Sequence, residues 1–316
     1  MKITVVGAGG NVGSTVALAV AQRDFAKEVV AVDLEIKKDG NSFFPSKGRA
    51  LDQWQTSPIL GFDTRVNGTV DYKDTSQSDI CVITAGMPRR PGMSRDDLLS
   101  ANMNIVKNVT ENLVKYSPDT TLVVVSNPLD LMSYVAYKTS GLPSTRVVGM
   151  AGILDTARYR AFLAEELNLS PKDIQALILG GHGDSMVPLP RYTTVSGIPI
   201  TQLINHNRLN EIIERTKSGG GELVSLMGTS AWYAPGTAAA QMIEAIALDQ
   251  NRILPCAAYL SGEYGLKDLY VGVPVRLGKG GVKEIIEIDL NEEEMSLLNF
   301  SAEHVRKGIE DLSRLS

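Results

Sequence analysis

Three histidines occur in the 316 residues, and one is set apart by its neighbours, Gly180-Gly181-His182-Gly183-Asp184-Ser185. Glycines permit tight backbone turns, and histidine changes charge near neutral pH. The apolar run Ile174 to Leu179 just before it reads as a buried strand, so His182 would be a general acid/base presented at a strand end. A lone loop histidine is more often a satisfied structural residue; what shifts the balance is the company available to it. Asp155 and Arg158 lie three apart on a predicted helix and share a face, although such a pair can equally be a surface ion pair of little worth. A loop rich in Gly and Pro adds Arg89, Arg90 and Arg95. Arginine grips carboxylates bidentately. Several arginines imply a substrate with more than one carboxylate, or with one carboxylate and a carbonyl to polarise. A loop with flexible ends can also close and exclude water. His206 and His304 lie in polar surroundings and read as surface residues.

The first half supplies the frame. Lys2 to Val6 fits a buried strand, followed by Gly7-Ala8-Gly9-Gly10-Asn11-Val12-Gly13, an alanine-rich helix to about Arg23, and a second strand from Glu28 to Val32 that ends in Asp33. Strand, glycine turn, helix, strand and terminal acid form the dinucleotide fingerprint. The turn lets backbone approach a pyrophosphate at the helix N-terminus. Asp33 would accept from the ribose hydroxyls and repel a 2′-phosphate, which favours NAD over NADP. Gly7, Gly10 and Gly13 give G-x-x-G-x-x-G rather than the plain motif. Ile36 to Gly48 reads as a polar surface loop with Phe43 and Phe44 packed locally, and Arg49 to Ser57 as a helix. Arg65–Val70, Ile80–Thr84 and Leu122–Val125 read as strands, the last two ending in Ala85-Gly86 and Ser126-Asn127-Pro128. Near-continuous apolar strands alternating with helices indicate a doubly wound parallel sheet.

The pattern changes near Met150. A helix from Ile153 to about Leu167 carries Asp155 and Arg158; strand-like segments follow at Arg191–Val195 and Ile198–Ile200. A helix from about Arg208 contains Gly219-Gly220-Gly221, a break or a close approach, and Thr237 to Leu248 is a further helix. Arg252–Leu260, Tyr270–Leu277 and Gly281–Ile288 read as antiparallel strands, and Asn291 caps a helix whose Glu292, Glu293 and Glu294 are structural. The expected organisation is α/β: an N-terminal Rossmann domain over residues 1–150, then an α+β substrate-binding and catalytic domain over 151–316. Net charge is −5 and the pI about 5.4, which argues against a nucleic-acid surface. No leader pattern or long apolar span is present, so a soluble cytoplasmic protein is expected. Cys81 and Cys256 lie in apolar runs and read as free buried thiols. No cluster has metal-ligand spacing, and no metal is expected.

Taken together, Gly7–Gly13, Asp33, Ala85-Gly86-x-Pro88-Arg89-Arg90-Pro91-Gly92-x-x-Arg95, Ser126-Asn127-Pro128-Leu129-Asp130, Leu154-Asp155-x-x-Arg158 and Gly180–Asp184 resemble the lactate/malate dehydrogenase family, nearest its lactate-dehydrogenase-like malate dehydrogenases. The resemblance spans essentially the whole chain. It implies that His182 exchanges the proton, that Asp155 orients it, and that Arg158 clamps the substrate C1 carboxylate. It implies that Arg95 polarises the reacting carbonyl, that the Asn127–Pro128 bond is cis and aims Asn127 into the site, where it touches both cofactor and substrate, and that Asn102 contacts the cofactor. The implied NAD contacts are Gly7, Gly10, Asn11, Val12, Gly13, Asp33, Ala85, Gly86, Asn102, Val125 and Asn127. Arg89, six positions before Arg95, matches the family's specificity residue. Arginine there implies a second substrate carboxylate, hence reversible oxidation of (S)-malate to oxaloacetate; pyruvate would leave the guanidinium unpaired. Alternatives are a lactate dehydrogenase, an NAD-dependent glycosidase of the same fold, which would need a divalent metal, or an NAD-binding protein without activity. The resemblance also implies a homotetramer or homodimer. The glycine spacing departs from that subgroup, and the connector after Asp33 is longer than the family norm.

Overall fold

The computed structural model describes residues 1–87 and 94–315. Nine strands form one sheet: β1 (Lys2–Val6), β2 (Glu28–Val32), β3 (Arg65–Thr69), β4 (Ile80–Ile83), β5 (Thr121–Val124), β6 (Val147–Gly149), β7 (Arg252–Ser261), β8 (Lys267–Gly278) and β9 (Gly281–Ile285). Their spatial order is β9-β8-β7-β6-β5-β4-β1-β2-β3. The six strands β1 to β6 pair in parallel, in the order 3-2-1-4-5-6 of a dinucleotide-binding sheet. Ile, Cys and Val bury both faces of β4, and β5 is buried throughout, as strands covered on both sides require.

Strands β7 to β9 are antiparallel. They join the parallel part through one residue pair, Gly149 with Ala257. A side chain at Gly149 would come within 2.5 Å of Ser133 Oγ and 2.9 Å of Ala257 Cβ, so glycine permits the seam. The eight longer helices are α1 (Asn11–Gln22), α2 (Pro45–Gln55), α3 (Arg95–Tyr116), α4 (Leu129–Ser140), α5 (Gly152–Leu167), α6 (His206–Met227), α7 (Tyr233–Ala247) and α8 (Glu292–Leu315). One large apolar core runs through the sheet and its covering helices. A smaller one, with Tyr159, Leu163, Ile178, Met186 and Ile212, lies beneath α5 and α6. Cys81 and Cys256 are free and buried, as expected, and burial pushes the Cys81 thiol up to about 12.

Several expectations change. Residues 36–48 are no plain loop: Ile36–Lys38 and Asn41–Phe43 form an exposed hairpin. Its turn, Asp39-Gly40, has φ of 50° and 78°, the positive values a two-residue hairpin turn needs. Phe43 is exposed rather than packed locally, and Lys47 Nζ lies 4.7 Å from the Phe44 ring. Helix α2 starts at Pro45, not Arg49, because proline suits a first helical position. The run Ile174–Leu179 is not one strand. Ile174–Gln175 pairs with Thr194–Val195, whereas Ile178–Leu179 pairs with Val187–Pro188. Pro190–Tyr192 is a 3-10 turn rather than strand. The Gly219–Gly221 run leaves α6 unbroken, and α7 begins at Tyr233, accommodating Pro235 in its first turn.

The acid run at α8 is structural, as expected. Asn291 Oδ1 accepts from Glu294 N at 2.8 Å, and Glu294 Oε2 accepts from Asn291 N at 3.0 Å, a reciprocal cap. The same carboxylate pairs with Arg191 at 2.8 Å. Asn291→Ala should therefore cost about 1 kcal/mol of stability, read as a lower denaturant midpoint at unchanged slope; an unmoved midpoint would mean that the cap contributes nothing.

Candidate active site

His182 stands in the turn of a two-stranded hairpin, Ile178–Leu179 against Val187–Pro188. The hairpin is stitched to the large sheet where Gly180 and Gly272 of β8 exchange two backbone hydrogen bonds of 2.9 and 3.0 Å. A Cβ on Gly272 would lie 2.5 Å from Gly180 O, so the close approach depends on glycine. Three side chains from three helices then pin the turn. Ser301 of α8 accepts from Gly181 N at 2.7 Å, Asp130 of α4 accepts from His182 N at 2.9 Å, and Asp155 of α5 meets the His182 ring at Nδ1, 2.9 Å from Oδ2.

Asp155 is 1% exposed. Its second oxygen, Oδ1, lies 3.4 Å from Arg158 Nη1. One buried carboxylate thus bridges the imidazole and a guanidinium, which displaces the surface-pair reading of Asp155 and Arg158. Arg158 itself is nearly buried against α6, where a Cβ on Gly219 would fall 2.3 Å from Arg158 Cδ. Of the two readings of the glycine run, close approach is the one observed. The ring of His182 is only half-buried, leaving Nε2 available on the side away from Asp155. Burial works against the imidazolium, but the charge and hydrogen bond of Asp155, with Asp130 behind it, outweigh that and raise the His182 pKa above its ordinary value. A cavity of about 480 Å³ opens at His182, lined also by Pro128, Asp130, Asp184, Ser185 and His304.

A second cavity, of about 510 Å³, lies at the carboxyl ends of the parallel strands. Gly7, Gly10, Asp33, Ala85 and Gly86 line it, with Val70, Tyr72, Asn104, Ile105 and Asn108. Gly7 has φ of 88°, and any Cβ there would fall 2.7 Å from Thr84 Oγ1; one on Gly13 would meet Gly7 O at 2.4 Å. Gly10, at the cap of α1, brings no side-chain hydrogen bond to the helix N-terminus, so its amides are available to an anion. Asp33 accepts from Gly9 N and Leu34 N, both at 2.7 Å, which orients its carboxylate at the cavity wall. Floor, cradle and acid fit an adenine dinucleotide.

Asn11, Val12 and Gly13 open α1 beside this cavity. Asn102 is buried and bound to backbone: Oδ1 accepts from Met87 N at 2.6 Å and Nδ2 donates to Asn127 O at 2.9 Å. Val125 is buried and donates through its backbone to Ile83 O. The Asn127–Pro128 bond is cis, as the resemblance implied. Arg95 is the first residue of α3, while Arg89 and Arg90 lie outside the described residues. Asp130 and Ser301 were missed by sequence reasoning: a helix acid and a helix serine carry no signal until the fold brings them to the His182 turn. Arg49 was missed too. It reaches from α2 to Asn11 Oδ1 at 2.9 Å and Ser14 Oγ at 2.8 Å, placing a cation near the glycine turn. Among the described residues no group of three or more His, Cys, Asp or Glu could hold a metal ion, and no helix is long and apolar enough to cross a membrane.

Comparison with known proteins agrees with this geometry. Residues 1–149 match the lactate/malate dehydrogenase NAD binding domain, and residues 153–315 the alpha/beta C-terminal domain of the same family. The malate dehydrogenase of Salinibacter ruber is 63% identical over 315 residues, covering 100% of this chain and 98% of that protein. The malate dehydrogenase of Cytophaga hutchinsonii is 58% identical over 308 residues, covering 97% and 96%. The 1.55 Å structure of the Salinibacter ruber enzyme superposes with a TM-score of 0.93 at 61% identity, covering 100% of this chain and 98% of that one. With both domains matched in order and relatives this similar over their full length, the chain belongs to the lactate/malate dehydrogenase family.

Proposed function

We propose that this chain catalyses the NAD-dependent, reversible oxidation of (S)-malate to oxaloacetate. The observation that carries the reading is the buried Asp155 carboxylate shared between His182 Nδ1 and Arg158: a proton acceptor and a carboxylate clamp held at fixed separation. The similarity of full-length malate dehydrogenases supports the substrate. When bound, the nicotinamide cofactor supplies the acceptor for the hydride leaving malate C2, and in its reduced form the donor.

The chain's own residues do the rest. Neutral His182 takes the hydroxyl proton at Nε2 while Asp155 stabilises the imidazolium that forms, as in triad logic. In reverse, the imidazolium returns the proton to the carbonyl oxygen, which Arg95 polarises. Arg158 holds the C1 carboxylate and Arg89 the C4 carboxylate, so the reacting carbon is oriented from both ends. Gly7, Gly10, Asn11, Val12, Gly13 and Asp33 hold the adenosine and pyrophosphate, and Ala85, Gly86, Asn102, Val125 and Asn127 the remainder, Asn102 through its bond to Asn127.

Arg89 separates malate from lactate chemistry, since pyruvate leaves its charge unpaired in a closing site. The dehydrogenase match over both domains weighs against the glycosidase alternative. We take residues 1–150 as the cofactor domain and 151–316 as the substrate domain, in a cytoplasmic homotetramer or homodimer; exposed Leu51, Ile59, Leu60, Leu226 and Tyr233 support self-association.

His182→Asn should lower kcat for oxaloacetate by about 10²-fold or more, and near-normal turnover would remove His182 from the chemistry. Arg89→Gln should lower kcat/KM for oxaloacetate and raise it for pyruvate; an unchanged ratio of the two would detach Arg89 from specificity. Asp155→Asn should weaken the imidazolium and lower the His182 pKa. Malate oxidation needs the neutral ring, so the midpoint of its rising kcat/KM profile should move to lower pH while kcat falls. A profile with the wild-type midpoint would contradict the proposed role of Asp155.

A further inference from the structure

We propose that Asp130 is a second positioning residue for His182, fixing the histidine main chain from α4 while its charge favours the imidazolium. The inference rests on the reading of His182 as the proton acceptor.

Asp130 lies in the first turn of α4, just beyond the cis Asn127–Pro128 bond, and is 7% exposed. Its Oδ2 accepts from His182 N at 2.9 Å. The neighbouring Gly181 keeps the approach open, since a Cβ there would stand 3.2 Å from the same oxygen. The other oxygen, Oδ1, is buried without a hydrogen-bond partner among the described residues. A buried carboxylate ordinarily accepts several hydrogen bonds. The imidazolium of His182 is a charge that favours the ionised Asp130 carboxylate.

Other charged or titratable groups among the described residues also lie at the ring or its turn, beside the Arg89 and Arg95 that the proposed function brings to the substrate. Asp155 and Arg158 face it from α5. Asp184 shares its turn, and His304 of α8 lines the same cavity. Strand β8 meets the turn through the Gly272 backbone. Asp130 is therefore the second carboxylate against His182 and the only one bonded to its main chain among the described residues. Burial pushes the Asp130 carboxyl up to about 6, eased by the His182 N–H and charge and reinforced by the Asp155 charge. Above that pH the ionised form is present, and it then favours the charged ring.

Asp130→Asn separates the two contributions, because the amide oxygen can still accept from His182 N while the charge is gone. The experiment is the pH profile of kcat/KM for malate, with NADH binding followed by fluorescence and thermal unfolding as controls for an intact fold. His182→Asn is measured alongside. The expected result is near-normal NADH binding with the profile midpoint moved to lower pH by about half a unit or more. Asp130→Ser, which leaves room for a water to accept the same N–H, should move it in the same direction and serves if the Asn variant does not fold. An unmoved midpoint, including a uniform fall in kcat at every pH, would make Asp130 a structural anchor only and overturn the proposal. Retained turnover in His182→Asn would instead overturn the reading beneath it, whatever the Asp130 variants do.

Discussion

The site depends on one buried negative charge. Asp155 is almost inaccessible to solvent, yet it touches two groups that are or become cations, His182 and Arg158. An isolated carboxylate in that position costs several kcal/mol, and removing one partner of a buried pair is correspondingly damaging. The charge is tolerable only if both partners are held within hydrogen-bond reach, and each comes from a different direction. Arg158 is one helical turn along α5, so its spacing is set by the helix. His182 comes from a hairpin far along the chain and must be brought there by tertiary contacts.

Those contacts are made possible largely by atoms that are absent. Gly180 and Gly272 let the hairpin backbone lie directly on β8, Gly219 lets α6 close over the stem of Arg158, and Gly13 lets α1 pack on the turn at Gly7. At Gly272, Gly219 and Gly13 a single methyl group would fall 2.5, 2.3 and 2.4 Å from backbone or a confined side chain, displacing one element relative to another, and Gly180 holds a φ of 85° that favours glycine. Hydrogen bonds then fix what close packing permits: Ser301, Asp130 and Asp155 reach the His182 turn from three helices. A turn so pinned presents one ring face and one nitrogen, the condition for proton transfer in a fixed direction.

Much of the fold was legible in the sequence for identifiable reasons. The buried parallel strands are continuous apolar runs, and the glycine turn with Asp33 carries a fingerprint whose spacing follows from how backbone meets phosphate. The pairing of Asp155 with His182 was legible as a possibility, because each residue is unusual in its surroundings. What escaped was decided by longer-range packing or by a turn signal passed over. The Asp39-Gly40 hairpin had a local signal in its dipeptide, hidden by a polar composition that reads as loop. The split of Ile174–Leu179 between two small sheets had none, since either pairing buries the same side chains. Asp130, Ser301 and Arg49 look like ordinary helix residues, and only the crossing of α4, α8 and α2 over the two sites gives them partners.

The carboxyl end of β5 shows why these sites work as one. Asn127 follows the strand, and its carbonyl accepts from Asn102, which in turn binds the backbone of Met87 beyond β4. The cis bond to Pro128 then starts α4, whose first turn delivers Asp130 to His182. Within four residues the chain passes from groups tied to the cavity side of the parallel sheet to a group tied to His182, the proposed proton acceptor. A displacement of α4 would shift Asn127 and the His182 turn together, because the same short segment anchors both. The separation between the cavity at the glycine turn and His182 is thus fixed by a strand end and a helix start, elements held by the core of the sheet.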